Sequence, residues 1–454
     1  MTAYNAVGEP TALNKFARSE VLEGAARKSF WRLLPIIFLC YVIMNVDRVN
    51  VGFAALEMNK ALGFSPQVFG LGAGLFFIGY ALFEVPSNMI LHRVGVKIWI
   101  ARIMITWGLI SAATAFVSGA TQFYIIRVLL GIAEAGFVPG MMLYFTYWFP
   151  ANMRARVVAC MVIGSPVGSI IMSPLSGWLL GANWLGLAGW QWMFILEAMP
   201  AVLLGLAVFF VLPRDPSSAV WLTEEQKRAL KDALAEEKLA LGESVKHSFW
   251  EGISDPRVIV FILANLLWTS GFYGSSIWLP LIIKSFGFSN IQVGFLNVLP
   301  AVASVVAMII WSWNSDRTGE RLWHLAVGAL LGGGGLAVSA YFVTQPVVSL
   351  LAILVATFGM FGWAAVFWTV PQTFLSGRAA ASGLAVISAL GSLGGFFGPN
   401  LVGGLKSILG SFQYSLFALA LCLILAAIVV LVFGAVYRED IRKARAAATS
   451  KLVG

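Results

Sequence analysis

The sequence predicts an all-α membrane protein with twelve transmembrane helices in two pseudo-symmetric six-helix bundles. Three observations lead there. Of the 454 residues, 59% are hydrophobic and only 11% are charged, whereas soluble domains carry about 25% charged residues. Apolar windows of about 20 residues, long enough to cross a bilayer as helix, recur along the chain. They are too long and too continuously apolar for the alternating ten-residue segments of an outer-membrane barrel. The second half also repeats features of the first.

The windows give spans one to twelve at 33–55, 69–91, 98–118, 121–145, 156–181, 191–212, 258–283, 291–313, 323–343, 347–370, 380–405 and 412–436. The expected organisation is a cytoplasmic tail (1–32), a first bundle (33–212), a linker (213–257), a second bundle (258–436) and a second cytoplasmic tail (437–454). Of the 30 Lys and Arg, Lys60, Lys284 and Lys406 fall on one side of the membrane and Arg48 and Arg127 lie within spans. The remaining 25 share the side of both termini, which the positive-inside rule makes cytoplasmic. The net charge of +9 follows from this topology and from contact with anionic lipid, so no nucleic-acid partner is needed to explain it. The first 30 residues hold no apolar core or cleavage pattern, so no signal peptide is expected.

The linker is rich in both charge signs, and Thr223-Glu224-Glu225-Gln226 reads as a capping box that starts a surface helix with a solvated charged face. Cys40, Cys160 and Cys422 are scattered without paired spacing and read as buried packing residues. Trp31, Trp184, Trp190 and Trp192 read as interfacial belt residues. No metal-ligand cluster, zinc-protease motif or phosphate loop occurs, and no cofactor is expected. An enzyme or receptor is accordingly the least favoured class.

Charges inside the spans carry the functional reading. Arg127 and Glu134 interrupt span four seven residues apart, which returns them to one helix face, roughly 10 Å apart along the axis. Asp47 and Arg48 interrupt span one. A charge at bilayer depth costs at least ~2.5 kcal/mol, so such residues line a wet or protein-filled interior. A guanidinium suits a carboxylate because its planar fork binds bidentately. A nearby carboxyl then competes for the Arg when ionised and releases it when protonated, so proton and anion bind cooperatively. The competing structural reading makes Arg127 and Glu134 a helix-packing ion pair.

The repeats are specific. Asn88-Met-Ile-Leu-His92-Arg93-Val-Gly95 follows span two and Trp313-Asn-Ser-Asp316-Arg317-Thr-Gly319 follows span eight. Spans four and ten both end in basic stretches, Trp148 to Arg156 and Pro371 to Arg378, and spans five and eleven are both rich in Gly, Ser and Pro. Two related halves with a mid-membrane site between them describe a rocking transporter.

With these motifs, Asp47-Arg48-Val49-Asn50, Glu84-Val-Pro-Ser-Asn88, Arg127-x6-Glu134-Ala-Gly136-x2-Pro139-Gly140 and Trp190-Gln-Trp192-x-Phe194 resemble the major facilitator superfamily. Within it they resemble the anion:cation symporter branch, and there the bacterial phthalate and tartrate permeases. The resemblance covers about Trp31 to Tyr437. It implies uptake of an organic carboxylate, an aromatic acid or a small dicarboxylate or sugar acid, by proton symport with alternating access across the bacterial inner membrane. The alternative is an anion exchanger or facilitator of the same fold, working as a monomer in either case. The resemblance further implies that Asp47 and Glu134 accept protons and that Arg48 anchors the carboxylate. Arg127 would hold Glu134 or Asp47 in place and complete the substrate site, with Tyr80 and Trp368 walling the cavity. Arg93, Asp316 and Arg317 would form a cytoplasmic gate. Ser388 and Ser392, also expected in the substrate site, stand where this branch commonly carries Asn, and with fewer donors and less reach than an amide they weigh against a heavily hydroxylated sugar acid. Together with Tyr80, Tyr273 and Trp368 they favour an aromatic or compact dicarboxylate. His92 replaces the Asp usual at the first-half gate. Glu84 is expected to cap the gate network with Arg93, and Glu197 to be structural. Asn297, Gln372 and Ser165 either line the cavity or bond neighbouring helices.

Overall fold

The structure is a computed structural model that describes residues 12–243, 254–375 and 377–437. Among these residues twelve helical segments are long and apolar enough to cross a membrane: Glu20–Leu62, Pro66–Val94, Val96–Phe116, Ala120–Trp148, Ala151–Leu179, Gly189–Val211, Pro256–Lys284, Asn290–Thr318, Leu322–Tyr341, Pro346–Phe374, Gly383–Leu409 and Phe412–Val436. They coincide in order with the twelve expected spans. One helix runs from Ala12 to Leu62 through Pro35, so span one continues from helix that begins within the expected N-terminal tail. Residues 1–11, 244–253 and 438–454 lie outside the described residues, and with them parts of the expected tails and linker.

Several spans are broken. Span four is Ala120–Glu134 followed by Phe137–Trp148, and span ten is Pro346–Phe367 followed by Pro371–Phe374. Spans five and eleven break at Ile163 and Leu393. The repeat-related positions four/ten and five/eleven thus share interruptions. The break in span four falls at Ala135 and Gly136, where Gly136 takes φ +88°, and a Cβ there would strike the Ser87 hydroxyl. Ser87 Oγ donates to the Ala135 carbonyl at 2.6 Å and receives the Trp99 indole N–H at 2.9 Å, so side chains take up hydrogen-bonding capacity that the interruption frees.

The halves meet tightly at the end of the bundle remote from the termini. A Cβ at Gly70 would lie 2.5 Å from the Pro399 carbonyl, and one at Gly177 would lie 2.6 Å from that of Asn290. Asn290 Nδ2 donates to Glu57 at 2.9 Å and Asn297 Nδ2 donates to Ser173 at 2.9 Å, both across the halves. At the opposite end His92, Arg93, Trp313 and Arg317 are exposed. The cleft between the halves therefore closes at one end.

The linker helix Glu224–Glu243 starts with the expected capping box, Thr223 and Gln226 bonding each other's backbone N–H. Its charged face is not merely solvated. Leu230 is fully buried, Lys28 Nζ donates to Gln226 at 3.1 Å, and Arg154 grips Glu237 bidentately at 2.7 and 2.9 Å. The helix is docked on the first half.

Between spans five and six a two-residue hairpin pairs Asn183–Trp184 with Leu187–Ala188, turning through Leu185 and Gly186 at positive φ. Trp192 donates its indole N–H to the Trp184 carbonyl at 2.8 Å. Trp190 departs from the belt expectation: it is buried at the start of span six, edge-on to Phe194. Cys40 is buried, while Cys160 and Cys422 are half-buried.

Candidate transport site

A cavity of about 100 Å³ lies between the halves. Span one contributes Asn45 and Arg48, span five contributes Ser165, span seven contributes Tyr273, span eight contributes Asn297, and span ten contributes Thr357. Arg48 is the one charged side chain among the lining residues. The remaining wall mixes small hydroxyls and amides with Phe272, Met360 and Phe361.

Arg48 is held on three sides. Its Nε donates to Glu134 Oε1 at 2.5 Å, its Nη1 donates to the Tyr273 hydroxyl at 3.4 Å, and its Cζ lies 4.9 Å from the Tyr80 ring centre and 5.7 Å from that of Phe76. Nη2 is buried and has no hydrogen-bond partner among the described residues. The planar group is thus fixed at one edge by an acid and stacked on aromatic faces, with one donor left uncommitted.

Glu134 sits at the last residue of the helix Ala120–Glu134, next to the break, and is fully buried. Its partner is Arg48 rather than Arg127, which corrects the helix-packing alternative. Two residues seven apart share a face but stand two turns from each other, too far to touch. Arg127 is 1% exposed, donates through Nη2 to the Ala73 carbonyl at 3.4 Å, and stacks on Phe76 at 5.1 Å. It lies among Asp47, Glu134 and Phe76 and outside the cavity lining.

Asp47, the neighbour of Arg48, does not face the cavity. Successive helical residues point about 100° apart, and the Asp47 carboxylate turns into the first half. There Ser111 of span three and Asn50 both donate to Oδ1, the latter at 3.1 Å. Sequence reasoning missed Ser111: a serine in an apolar span, 64 residues from its partner, gives no signal. It also gave no role to Asn50 or Asn45, although Asn50 stood inside a quoted motif.

Other expected site residues are distributed as follows. Tyr80 is buried behind Arg48 and does not wall the cavity. Trp368 is 39% exposed at the break in span ten, edge-on to Phe367 and outside the cavity lining. It follows the last residue of the long helix Pro346–Phe367. Ser392 spends its proton on the Ala389 carbonyl at 2.8 Å, and Ser388 lies against the Glu84 carboxylate of the other half. Neither serine lines the cavity. Asn297 and Ser165 do, whereas Gln372 does not. Glu84 meets Ser388 rather than Arg93, which is exposed. Asp316 pairs with Arg321 at 2.7 Å, Arg317 stacks on Trp313 at 5.5 Å, and no ion pair joins Arg93 to Asp316 among the described residues. Glu197 is 1% exposed, with Ser176 Oγ 2.5 Å from its Oε1.

Comparison with known proteins fits this architecture. A putative tartrate transporter of Agrobacterium vitis is 49% identical over 407 residues, 89% of this chain and 90% of that protein. A putative metabolite transport protein, NicT, of Pseudomonas putida is 42% identical over 89% of this chain and 93% of its own. A solved bacterial homologue of the human lysosomal transporter Spinster, in an inward-facing and occupied conformation, has a TM-score of 0.73 at 17% identity over 90% of this chain and 97% of that one. The Major Facilitator Superfamily model matches residues 37–399. The chain, a multi-pass membrane protein of twelve helices, therefore belongs to the Major Facilitator Superfamily.

Proposed function

We propose that this protein imports an organic carboxylate together with protons across the bacterial inner membrane, by alternating access. The observation that carries the reading is Arg48: the one charge among the described residues that line the cavity, with a buried Nη2 that has no hydrogen-bond partner among them. An unengaged guanidinium donor out of water costs on the order of 1–3 kcal/mol or more, and an incoming carboxylate recovers it.

Coupling follows from the 2.5 Å contact with Glu134. Ionised, Glu134 neutralises Arg48 and weakens its pull on a second anion. Protonated, it withdraws that competition, so a proton on Glu134 and an anion on Arg48 favour each other. Asp47 is the second candidate proton site. It acts at one remove, because it shares the span-one helix with Arg48 but faces Arg127, Ser111 and Asn50.

The argument against a hydroxylated substrate rested on Ser388 and Ser392, and neither lines the cavity. Beside Phe272, Tyr273 and Phe361 the lining offers Asn297, Ser276 and Thr357, polar groups that suit a compact hydroxylated carboxylate of the kind the tartrate relatives are named for. With both termini cytoplasmic, the closed end faces outward and this state is open inward. Arg93, Asp316 and Arg317 stand at the open end, where a cytoplasmic gate would close. The protein would work as a monomer among lipids.

The test uses reconstituted vesicles and a carboxylate panel that includes tartrate. Symport predicts accumulation driven by an inward proton gradient without internal substrate. With Asp47 and Glu134 each loading one proton, a dicarboxylate crosses neutrally, while a monocarboxylate gains ~2.3 kcal/mol per 100 mV of inside-negative potential. Uptake that needs a loaded counter-substrate and ignores the gradient identifies an exchanger instead.

A further inference from the structure

Glu197 and Glu84 are the buried acids of the first bundle, among the described residues, that the proposed cycle leaves unused; Glu84 meets Ser388 of the other half, whereas Glu197 stays within the first bundle. It enters from span six and meets Ser176 of span five and Asn50 of span one. Asn50 in turn donates to Asp47, so the side chains form a row from Glu197 through Asn50 to Asp47 and Ser111. Among the described residues the charged group that faces Glu197 is Asp47, itself an acid. On span three Arg102 is stacked on Trp99 at 3.7 Å, and Arg48 and Arg127 are turned to Glu134 and Asp47. A bare carboxylate at 1% exposure has no cation here to offset its desolvation.

The hydrogen count points the same way. Ser176 Oγ lies 2.5 Å from Glu197 Oε1 and 2.8 Å from the Met172 carbonyl, two acceptors for a hydroxyl that owns one hydrogen. Asp47 Oδ2, Asn50 Oδ1 and Glu197 Oε2 are all buried oxygens without a partner. The row is short of hydrogen, not of acceptors. One proton on Glu197 eases this shortage: on Oε1 it donates to Ser176, whose own hydrogen is then free for Met172, and on Oε2 it instead makes that unpartnered oxygen a donor within the acceptor-rich row.

We propose that Glu197 is a positioning residue that keeps its proton throughout the transport cycle and, as a neutral donor, fixes the Ser176–Asn50–Asp47 row so that Asp47 holds its place beside Arg48. The proton on Glu197 is independent of the symport reading, whereas its service to Asp47 rests on it.

Infrared difference spectra of purified wild type against Glu197→Gln test the proton without any transport assay. A protonated-carboxyl stretch present in the wild type at alkaline pH and missing from Glu197→Gln is the expected result. Its absence overturns the proposal, whatever the protein carries. Vesicle uptake tests the positioning. Gln keeps an amide donor, so Glu197→Gln should show the wild-type pH profile and proton-to-substrate ratio. Leu keeps the volume but removes the donor, so Glu197→Leu should move the pH midpoint of uptake. A lowered proton count in Glu197→Gln means that the proton cycles, and an unmoved profile in folded Glu197→Leu means that the row does not serve Asp47; either overturns the proposal. An infrared band with no proton-driven uptake of any carboxylate would instead defeat the symport reading alone.

Discussion

Replacing Arg48 by Lys keeps the charge and removes the fork, and the geometry sets the cost. In the wild type Glu134 occupies the Nε edge at 2.5 Å, Tyr273 reaches Nη1 at 3.4 Å, and Nη2 is uncommitted. An ammonium gathers its three donors on one atom, so Glu134 and a substrate carboxylate would converge on a single nitrogen instead of using separate edges of a plane. At least one charge-assisted hydrogen bond is lost, worth about 1.5–3 kcal/mol. At ~1.4 kcal/mol per tenfold, Kd should rise roughly 10- to 150-fold. Stacking on Tyr80 and Phe76 also weakens, a change that appears in the ligand-free melting temperature and not in the ligand-dependent shift. The assay is a melting titration of purified Arg48→Lys with the carboxylate that stabilises the wild type, since mass action raises Tm only for ligands that bind the folded state. A Kd within about twofold of wild type in a folded variant would refute the assignment of Arg48 to the substrate.

Three further outcomes follow from the site. Glu134→Gln mimics the protonated acid, so the variant should still bind and exchange substrate in vesicles but no longer concentrate it under an inward proton gradient; wild-type accumulation would leave Asp47 as the coupling acid. Gly70→Leu places a side chain where a Cβ already lies 2.5 Å from the Pro399 carbonyl. Overpacking costs about 1–3 kcal/mol, which should shift the population away from closure at this end and, in the proposed orientation, raise outside labelling of a cysteine placed at Asn45 by several-fold; unchanged labelling would mean that the glycine seam does not close the cleft. Trp368→Ala should leave substrate Kd within about twofold of wild type, because the ring lies outside the cavity lining; a tenfold loss would return Trp368 to the site.

The order of the spans was legible because each is a long apolar stretch, and that property survives any packing arrangement. The breaks were less so. Gly136 marks the one in span four, but nothing in Phe367-Trp368-Thr369 marks the end of the long helix or the place of Trp368 outside the cavity lining. Helical periodicity correctly placed Arg127 and Glu134 on one face, yet a shared face fixes direction and not partners. The ion pair that matters joins Glu134 to Arg48, 86 residues apart, and depends on how spans one and four are set against each other. Ser111 with Asp47 and Ser388 with Glu84 were hidden for the same reason: each contact is made by packing between spans and leaves no mark on local sequence.

Asp47 and Arg48 show how a short motif divides its work. As neighbours on a helix they point about 100° apart, so one turn of span one presents the guanidinium to the cavity and the carboxylate to the interior of the first bundle. Arg48 is tied to span four through Glu134, and Asp47 is tied to span three through Ser111 and, by way of Asn50, to span six. A proton or an anion that alters either tie acts on the same turn of the same helix. The two residues cannot respond independently, and a rotation or tilt of span one that relieves Arg48 must strain or relax the contacts of Asp47. In the proposed symport cycle, proton loading deep in the first bundle would thereby be felt at the cavity wall without a chain of side chains running between them, through the stiffness of one helical turn.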